Sequence, residues 1–266
     1  MKPILFPNLG LSFDINPVAF SIGEKNVYWY GIIITFGIAV ALFLAWKNKD
    51  KQKINWDDLT DFVLCAIPIG IICARLYYVI FQWDYYSQNL SEILQIWNGG
   101  IAIYGGVIGG ILTAFVFCKV KKISFLDLCD YCAPYLAFCQ SVGRWGNFVN
   151  REAYGQVTDS FLKMGIFDEV TNNYIFVQPT FLYESVCTFI IFLILMKINK
   201  NKKFSGQAFY LYMILYGLAR AIIEGYRVDS LYLGNFRVSQ LLSLLFSTIF
   251  AIIYFFTTKK SKKMVD

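Results

Sequence analysis

Long apolar stretches constrain the fold of this chain more than any other feature of its sequence. Six of them, separated by polar segments, cover residues 30–46, 62–81, 99–118, 180–196, 206–223 and 238–256. Most approach or reach the roughly 20 residues that an α-helix needs to cross the hydrocarbon core of a bilayer. A weaker seventh candidate, 125–142, contains a proline, which membrane helices tolerate. The pattern predicts an all-α polytopic membrane protein with about seven transmembrane helices.

Composition excludes several classes of function. The chain is 57% apolar and only 16% charged, whereas a soluble domain usually carries about 25% charged residues. It contains no histidine, which excludes an HExxH metalloprotease and any imidazole general base. Its seven cysteines lie in or beside the predicted helices, and Cys129 and Cys132 lack the further ligands of a metal site. We therefore expect no metal, no cofactor and no disulfide framework.

The placement of lysine orients the predicted helices. Fifteen of the 24 basic residues fall in four short segments, 47–53, 119–122, 197–203 and 259–263. These segments follow every second predicted helix, which is the positive-inside pattern of membrane proteins. The pattern predicts an N-terminus outside and a C-terminus in the cytoplasm. It also explains the net charge of +6 without a nucleic-acid partner.

The six arginines are segregated from those lysines. They are Arg75, Arg144, Arg151, Arg220, Arg227 and Arg237. A planar guanidinium group suits bidentate recognition of phosphate or carboxylate, which a lysine recognises only as a point charge. The alternative is that arginine tolerates partial burial better than lysine.

A polar run at 143–155 interrupts the apolar pattern. It reads Gly-Arg-Trp-Gly-Asn-Phe-Val-Asn-Arg-Glu-Ala-Tyr-Gly. Polar and ionisable groups at or near the depth of the hydrocarbon are costly, so such a cluster indicates a functional site. The alternative is an ordinary charged loop outside the membrane.

Polar groups from five predicted elements reach a common depth near the outer surface, if each helical residue rises about 1.5 Å. They are Tyr30, Arg75, Tyr104, Arg144 and Arg220. Side chains that only reach towards water would be divided between the two membrane faces. The convergence therefore predicts an anion site close to the outer head groups.

Two helices show a further pattern. Tyr216, Arg220, Glu224 and Arg227 follow a helical spacing that puts them on one stripe, where Glu224 can pair with Arg220. A purely structural ion pair would have the same spacing. In the third apolar stretch, the small-xxx-small spacing of four glycines at 105–110 predicts close packing of helix backbones.

The segment between Glu152 and Pro179 is too long for a turn and too polar for a membrane helix. We expect a small extracytoplasmic head segment at 156–178, inserted in a single transmembrane domain that covers 1–266. Glu184, one turn into the next helix, could face the site or cap that helix.

The run from Gly143 to Gly155 resembles the signature of the bacterial prolipoprotein diacylglyceryl transferase family. Other family segments match in order, and they are Trp29-Tyr30-Gly31, Gly105-Gly106, Gln178-Pro179 to Tyr183-Glu184, and Tyr216 to Glu224. The resemblance covers essentially the whole chain. It implies a multi-pass enzyme of the bacterial cytoplasmic (inner) membrane, with its active site towards the outer leaflet.

The reaction that the resemblance implies is the first step of lipoprotein maturation. The diacylglyceryl group of phosphatidylglycerol moves to the lipobox cysteine of an exported prolipoprotein, which carries a signal peptide. A thioether forms, and glycerol 1-phosphate leaves. The alternative function is an anionic lipid or organic-anion transporter that uses the same arginines for binding only, although no inverted repeat of the transporter type is visible.

The resemblance, together with the convergence of polar groups at one depth, assigns roles to residues. Those expected to be catalytic are Arg144, Arg220, Tyr104 and Glu152. Those expected to bind substrate are Arg144, Tyr30, Arg75, Asn147, Asn150, Gly155, Tyr216 and Glu224. Many family members have a histidine, proposed as the general base, where this chain has Tyr104. Because neutral tyrosine is a poorer base than imidazole at neutral pH, the identity of the base is open.

Overall fold

The computed structural model describes residues 2–23 and 25–263, which form two compact units. The first unit takes in the chain up to Lys47 and from Asp130 onward, and the second unit covers Asn48–Cys129. The protein is mostly helical. Its helices are α1 (Trp29–Lys47), α2 (Trp56–Phe81), the single turn α3 (Trp83–Tyr86), α4 (Ile103–Lys121), α5 (Phe125–Asn150), α6 (Thr180–Asn199), α7 (Gln207–Glu224) and α8 (Val238–Lys263).

Each of the seven predicted membrane stretches carries a long helix. Within residues 2–23 and 25–263, five helices are long and apolar enough to cross a membrane: α1, α2, α4, α6 and α8. The other two, α5 and α7, carry the arginines and other polar residues of the candidate site, which lowers their hydropathy. A polytopic membrane protein is therefore confirmed, while the count of seven spans and their orientation stay predictions.

The predicted all-α fold class needs a correction, because several polar segments outside the long helices form strands. The strands are β1 (Ile4–Phe6), β2 (Leu11–Phe13), β3 (Val18–Ile22), β4 (Lys25–Tyr28), β5 (Met164–Asp168), β6 (Asn173–Val177), β7 (Tyr232–Leu233) and β8 (Phe236–Arg237). One antiparallel sheet has the order β2-β1-β5-β6, and the pairs β3–β4 and β7–β8 form hairpins. The all-α expectation was wrong here.

The four-stranded sheet joins the N-terminal leader to the segment 156–178. Leu5 of β1 lies opposite Gly165 of β5, and the side chains of Ile4 and Ile166 are buried in one apolar cluster with Phe148 of α5. Hydropathy counted over a helix-length window does not detect these strands, because only alternate residues of a short strand face the core. The sheet packs against the end of α5 that carries the polar run.

Buried polar contacts fix the positions of α6 and α7 along α5 in the first unit. The carboxylate of Asp130, fully buried in α5, accepts hydrogen bonds from the backbone N–H groups of Gly206 (2.7 Å) and Phe209 (3.0 Å) at the start of α7. Ser141 of α5 donates its hydroxyl to the carbonyl oxygen of Ser185 in α6 at 2.8 Å. These contacts fix α6 and α7 against α5, so that residues further along each helix meet.

In the second unit, α2 and α4 pack closely through glycine. A Cβ atom on Gly105 would lie 2.5 Å from the Cβ of Tyr77, and one on Gly109 would lie 2.7 Å from the Cβ of Cys73. Real Cβ atoms do not approach this closely, so both positions require glycine. The predicted close packing is confirmed at Gly105 and Gly109, whereas a Cβ on Gly110 would meet open space.

Candidate active site

The carboxylate of Glu184 lies at the centre of a polar cluster between three helices of the first unit. It accepts hydrogen bonds from Arg144 Nη2 of α5 at 2.6 Å, and from Arg220 Nη1 and the Tyr216 hydroxyl of α7 at 3.1 and 3.2 Å. The side chain of Glu184 is only 2% exposed. The sequence left open whether Glu184 faces the site or caps its helix, and in the structure its side chain faces the cluster.

The charges of this cluster balance. Glu224, also 2% exposed, has Oε2 at 2.7 Å from Arg220 Nη2, as an ion pair whose angles fall short of an aligned hydrogen bond. The i, i+4 pair predicted on α7 is therefore confirmed. Burying an unpaired charge is expensive, so two carboxylates beside two guanidinium groups explain how all four charges are tolerated between apolar helices.

Both arginines keep donors for a ligand. A guanidinium group has five N–H donors. The described contacts of Arg144 use two of them, one to Glu184 and one to Asn147 Oδ1 at 3.1 Å. Those of Arg220 are the contacts with Glu184 and Glu224. The side chains are 23% and 17% exposed, so part of each remains open to a ligand.

The polar run from 143 is helical as far as Asn150, which excludes the ordinary-loop alternative for most of it. Asn147 Nδ2 donates to Glu152 Oε1 at 2.8 Å, and Asn150 Nδ2 lies 3.5 Å from the same oxygen. Arg151 and Ala153 both have φ of 56°, in the left-handed region that residues other than glycine rarely adopt. This strained turn holds Glu152 at the end of α5, and such strain is concentrated at functional sites.

Gly155 ends the run because three segments meet there. A Cβ atom on it would lie 2.8 Å from Gln178 Cβ, 2.9 Å from Thr180 Cγ2 and 3.0 Å from the carbonyl oxygen of Tyr226. Its N–H donates to the carbonyl of Gln178 at 2.9 Å. Gly155 therefore ties the start of α6 and the residues after α7 to the end of α5.

Gly146 has a similar role beside α1. A Cβ atom on Gly146 would lie 2.5 Å from Cδ2 of Tyr30, so the phenol ring rests directly on the backbone of α5. The structure thus brings together nine residues of the first unit that the sequence or its resemblance indicated. They are Tyr30, Arg144, Asn147, Asn150, Glu152, Gly155, Tyr216, Arg220 and Glu224.

Arg75 and Tyr104 belong to the second unit, so their place relative to Arg144 and Arg220 stays a prediction. Tyr104, at the start of α4, is 49% exposed and its ring lies 6.4 Å from that of Tyr77.

The guanidinium group of Arg75 is occupied within its own unit. It donates to the carbonyl oxygens of Glu92, Ile93, Gly99 and Gly100 at 2.7 to 2.8 Å. These bonds use four of its five donors, and its side chain holds the segment between α2 and α4.

Sequence reasoning missed a second ion pair next to the cluster. Arg227, predicted only as part of the α7 stripe, donates from Nε and Nη2 to the two carboxylate oxygens of Asp229 at 2.9 and 2.6 Å. This hydrogen bonding lowers the pKa of the Asp229 carboxyl below its usual value. The spacing of an arginine and an aspartate two residues apart after a helix was the available signal.

Comparisons with known proteins show the family of this chain. The model of the family described as prolipoprotein diacylglyceryl transferase matches residues 17–256. The phosphatidylglycerol–prolipoprotein diacylglyceryl transferase of Listeria welshimeri is 49% identical over 237 residues, which cover 87% of this chain and 86% of that protein.

Proteins of the same name from other bacteria are also similar. The one from Finegoldia magna is 49% identical over 228 residues, 85% of this chain and 90% of its own length. The one from Limosilactobacillus reuteri is 44% identical over 250 residues, 90% of each. Since both the family model and these relatives cover most of its length, the chain belongs to the prolipoprotein diacylglyceryl transferase family.

Proposed function

We propose that this protein transfers the diacylglyceryl group of phosphatidylglycerol to the thiol of the lipobox cysteine of exported prolipoproteins. The product is a thioether, and glycerol 1-phosphate is released. Membership of the family and the names of its relatives support this reaction. The structural observation that carries it is the pair Arg144 and Arg220, joined through one buried carboxylate and left with donors for a phosphate.

The bond changes explain why two arginines are needed. The sulfur of the acceptor attacks the carbon of the diacylglyceryl group that is esterified to phosphate, and the bond between that carbon and its phosphate oxygen breaks. The electron pair stays on the phosphate oxygen, and the thiol proton passes to water or to the released phosphate. Negative charge therefore develops on the leaving phosphate, where the fixed N–H donors of Arg144 and Arg220 stabilise the transition state. Proximity to guanidinium groups also favours the thiolate form of the acceptor.

The other polar residues orient these two arginines. Glu184 contacts both guanidinium groups before the lipid arrives and keeps their donors directed to one place, while Glu184 and Glu224 together balance the two positive charges. Glu224 holds the second arm of Arg220, and Asn147 holds Arg144 while being held by Glu152. In this role Glu184 is a positioning residue, although sequence reasoning had not assigned it to the site.

The arrangement in the membrane follows from the charge pattern. Seven spans with the N-terminus outside would put the C-terminal ends of α5 and α7 near the outer leaflet of the bacterial cytoplasmic membrane. Phosphatidylglycerol and a signal peptide both carry apolar bodies, so they enter sideways from the bilayer. The segment 156–178 partly roofs the site, and Tyr104 positions the reactants. Arg75 was expected to bind substrate, but with four of its five donors used it acts by holding the segment between α2 and α4. No observation favours the transporter alternative.

Incubation of the purified full chain with phosphatidylglycerol vesicles and a synthetic lipobox peptide tests the reaction. Mass spectrometry should detect the diacylglyceryl increment on the peptide and glycerol 1-phosphate in solution. A peptide with serine in place of the lipobox cysteine is the control for acceptor identity. Lipid binding without any mass increment would contradict the proposed transfer.

Arginine variants test the roles of the two guanidinium groups. Arg144→Lys and Arg220→Lys should each lower kcat/KM about a hundredfold, because an ammonium group cannot replace the guanidinium fork. Lys163→Arg, which also preserves charge but lies in the segment 156–178 beside Asp159, should leave the rate unchanged. Near-normal turnover by either arginine variant would remove that residue from the mechanism.

A further inference from the structure

An apolar groove of about 710 Å³ runs along the N-terminal end of α1 in the first unit. Its wall includes Tyr30, Gly31, Thr35 and Phe36, and Asn150 of α5 closes one side. The Thr35 hydroxyl already donates to the carbonyl oxygen of Gly31 at 2.8 Å. Apart from the amide of Asn150 and the phenol groups of its tyrosines, the groove therefore presents hydrocarbon surface.

The groove is continuous with the arginine cluster. Tyr30 forms part of its wall and also rests on Gly146, two residues after Arg144. Asn150 lies beside Glu152, which accepts from Asn147, and Asn147 in turn accepts from Arg144. Asn150 lies six positions after Arg144 in α5, or about 9 Å along the helix axis. This distance is comparable with the reach of a phosphoglycerol ester.

We propose that the groove binds an acyl chain of the donor phospholipid while its phosphate lies at Arg144. This assignment rests on the proposed transferase function and adds the place of the lipid body. Arg144, Asn147 and Asn150 then contact the polar part of the lipid, and the wall formed by α1 contacts its acyl chain. The exposed rings of Tyr30 and Phe36 then contact hydrocarbon instead of solvent.

The chemistry of the groove and its continuity with Arg144 favour an acyl chain over the signal peptide. The phosphate and the acyl chains of the donor belong to one molecule, so an apolar groove that adjoins the arginine cluster suits the lipid. An extended peptide would leave its N–H and C=O groups facing an apolar wall, which is costly without hydrogen-bond partners. A hydrocarbon chain is narrow and needs no such partners.

Gly31 allows the groove to be filled without disturbing the packing of the protein. A Cβ atom on Gly31 would meet no atom within 4 Å, and the same is true of Gly110 in α4, which does not line the groove. Gly31→Leu and Gly110→Leu are therefore matched substitutions, each in a helix and each into open space. Gly31→Leu should raise the KM for phosphatidylglycerol about tenfold, because roughly two methylene groups of the acyl chain would no longer be buried.

The KM values for peptide and lipid together distinguish an acyl chain from a signal peptide as the occupant of the groove. Gly31→Leu should leave the KM for the lipobox peptide unchanged, and Gly110→Leu should change neither constant. A raised KM for the peptide with an unchanged KM for the lipid would overturn the assignment in favour of the signal peptide. Unchanged constants for both substrates would show that the groove is not used.

Labelling detects occupancy without turnover. Phosphatidylglycerol with a photoactivatable diazirine in one acyl chain should label the peptide 28–36 of the wild-type chain, and Gly31→Leu should reduce that labelling. Labelling confined to other helices, with normal transfer activity, would overturn the groove assignment alone. Absence of transfer in the wild type would instead contradict the proposed function.

Discussion

The guanidinium group of Arg144 lies 2.6 Å from the carboxylate of Glu184, and this ion pair joins α5 to α6 at a side chain that is almost fully buried. The other oxygen of that carboxylate reaches Arg220 of α7 at 3.1 Å. One acidic residue thus fixes the separation of two arginines that are far apart in the sequence. The geometry of the proposed phosphate site depends on that carboxylate.

Replacement of Glu184 should affect both stability and catalysis. Glu184→Gln leaves two guanidinium groups without their shared counter-charge, so we expect a loss of about 3 kcal/mol in the free energy of unfolding and a strong loss of transfer activity. Unfolding in detergent measures the first effect. Asp159→Asn removes a fully exposed carboxylate and should change neither property. Wild-type stability of Glu184→Gln would show that the ion pairs do not hold the helices together.

Gly155 should not tolerate a side chain. In Gly155→Ala the new methyl group would lie within about 3 Å of Gln178, Thr180 and the Tyr226 carbonyl, so we expect a loss of about 1–3 kcal/mol in stability, with lower activity. Gly110→Ala, which adds the same group in open space, should be neutral or stabilising by up to about 1 kcal/mol. Equal melting temperatures for the two variants would contradict this interpretation of the contact.

Arg75 should act on the segment between α2 and α4. Arg75→Ala leaves four carbonyl groups without their donor, and we expect hydrogen exchange in 89–100 to rise by at least a hundredfold, about 3 kcal/mol. Tyr85→Phe, which removes a single exposed hydrogen bond to Glu92, is the matched control and should have a small effect. If Arg75→Ala instead raises only the KM for lipid, Arg75 binds substrate and does not hold the segment.

The pair of Arg227 and Asp229 should make stability depend on pH. Because the pKa of Asp229 is lowered in the folded state, chiefly by its hydrogen bonds from Arg227, its stabilising effect is present above the unfolded pKa. That effect is lost as the pH falls through the lower, folded pKa. Asp229→Asn should therefore melt below the wild type at neutral pH, and the difference should vanish in acid. A difference that is independent of pH would contradict the ion pair.

Tyr104 should position the reactants without serving as an efficient base. Tyr104→Phe should lower the rate only modestly, because it removes the hydrogen bond of the hydroxyl group and keeps the aromatic ring. Tyr104→His, which restores the residue found in many family members, should retain activity and shift the optimum to lower pH. Initial rates across pH measure both effects. Complete loss of transfer in Tyr104→Phe, with lipid binding intact, would make the phenol an obligatory proton-transfer group.

Local patterns of the sequence were enough to predict the helices and part of the site. Apolar length indicated the membrane stretches, since this signal lies within about 20 neighbouring residues. The helical period put Arg220 and Glu224 on one stripe, and their ion pair is present. The resemblance of the run 143–155 to a family signature identified Arg144, and the helix α5 continues through most of that run.

Contacts between residues far apart in the chain were decided only by the tertiary structure. Glu184 could have capped its own helix, and only the packing of α5 and α7 beside α6 shows that it joins Arg144 to Arg220. The four-stranded sheet pairs Leu5 with Gly165, which no local window of hydropathy can detect. The physical reason is the same in both cases: a buried charge or an unpaired strand takes whichever partner folding brings near, and the sequence around it does not specify that partner.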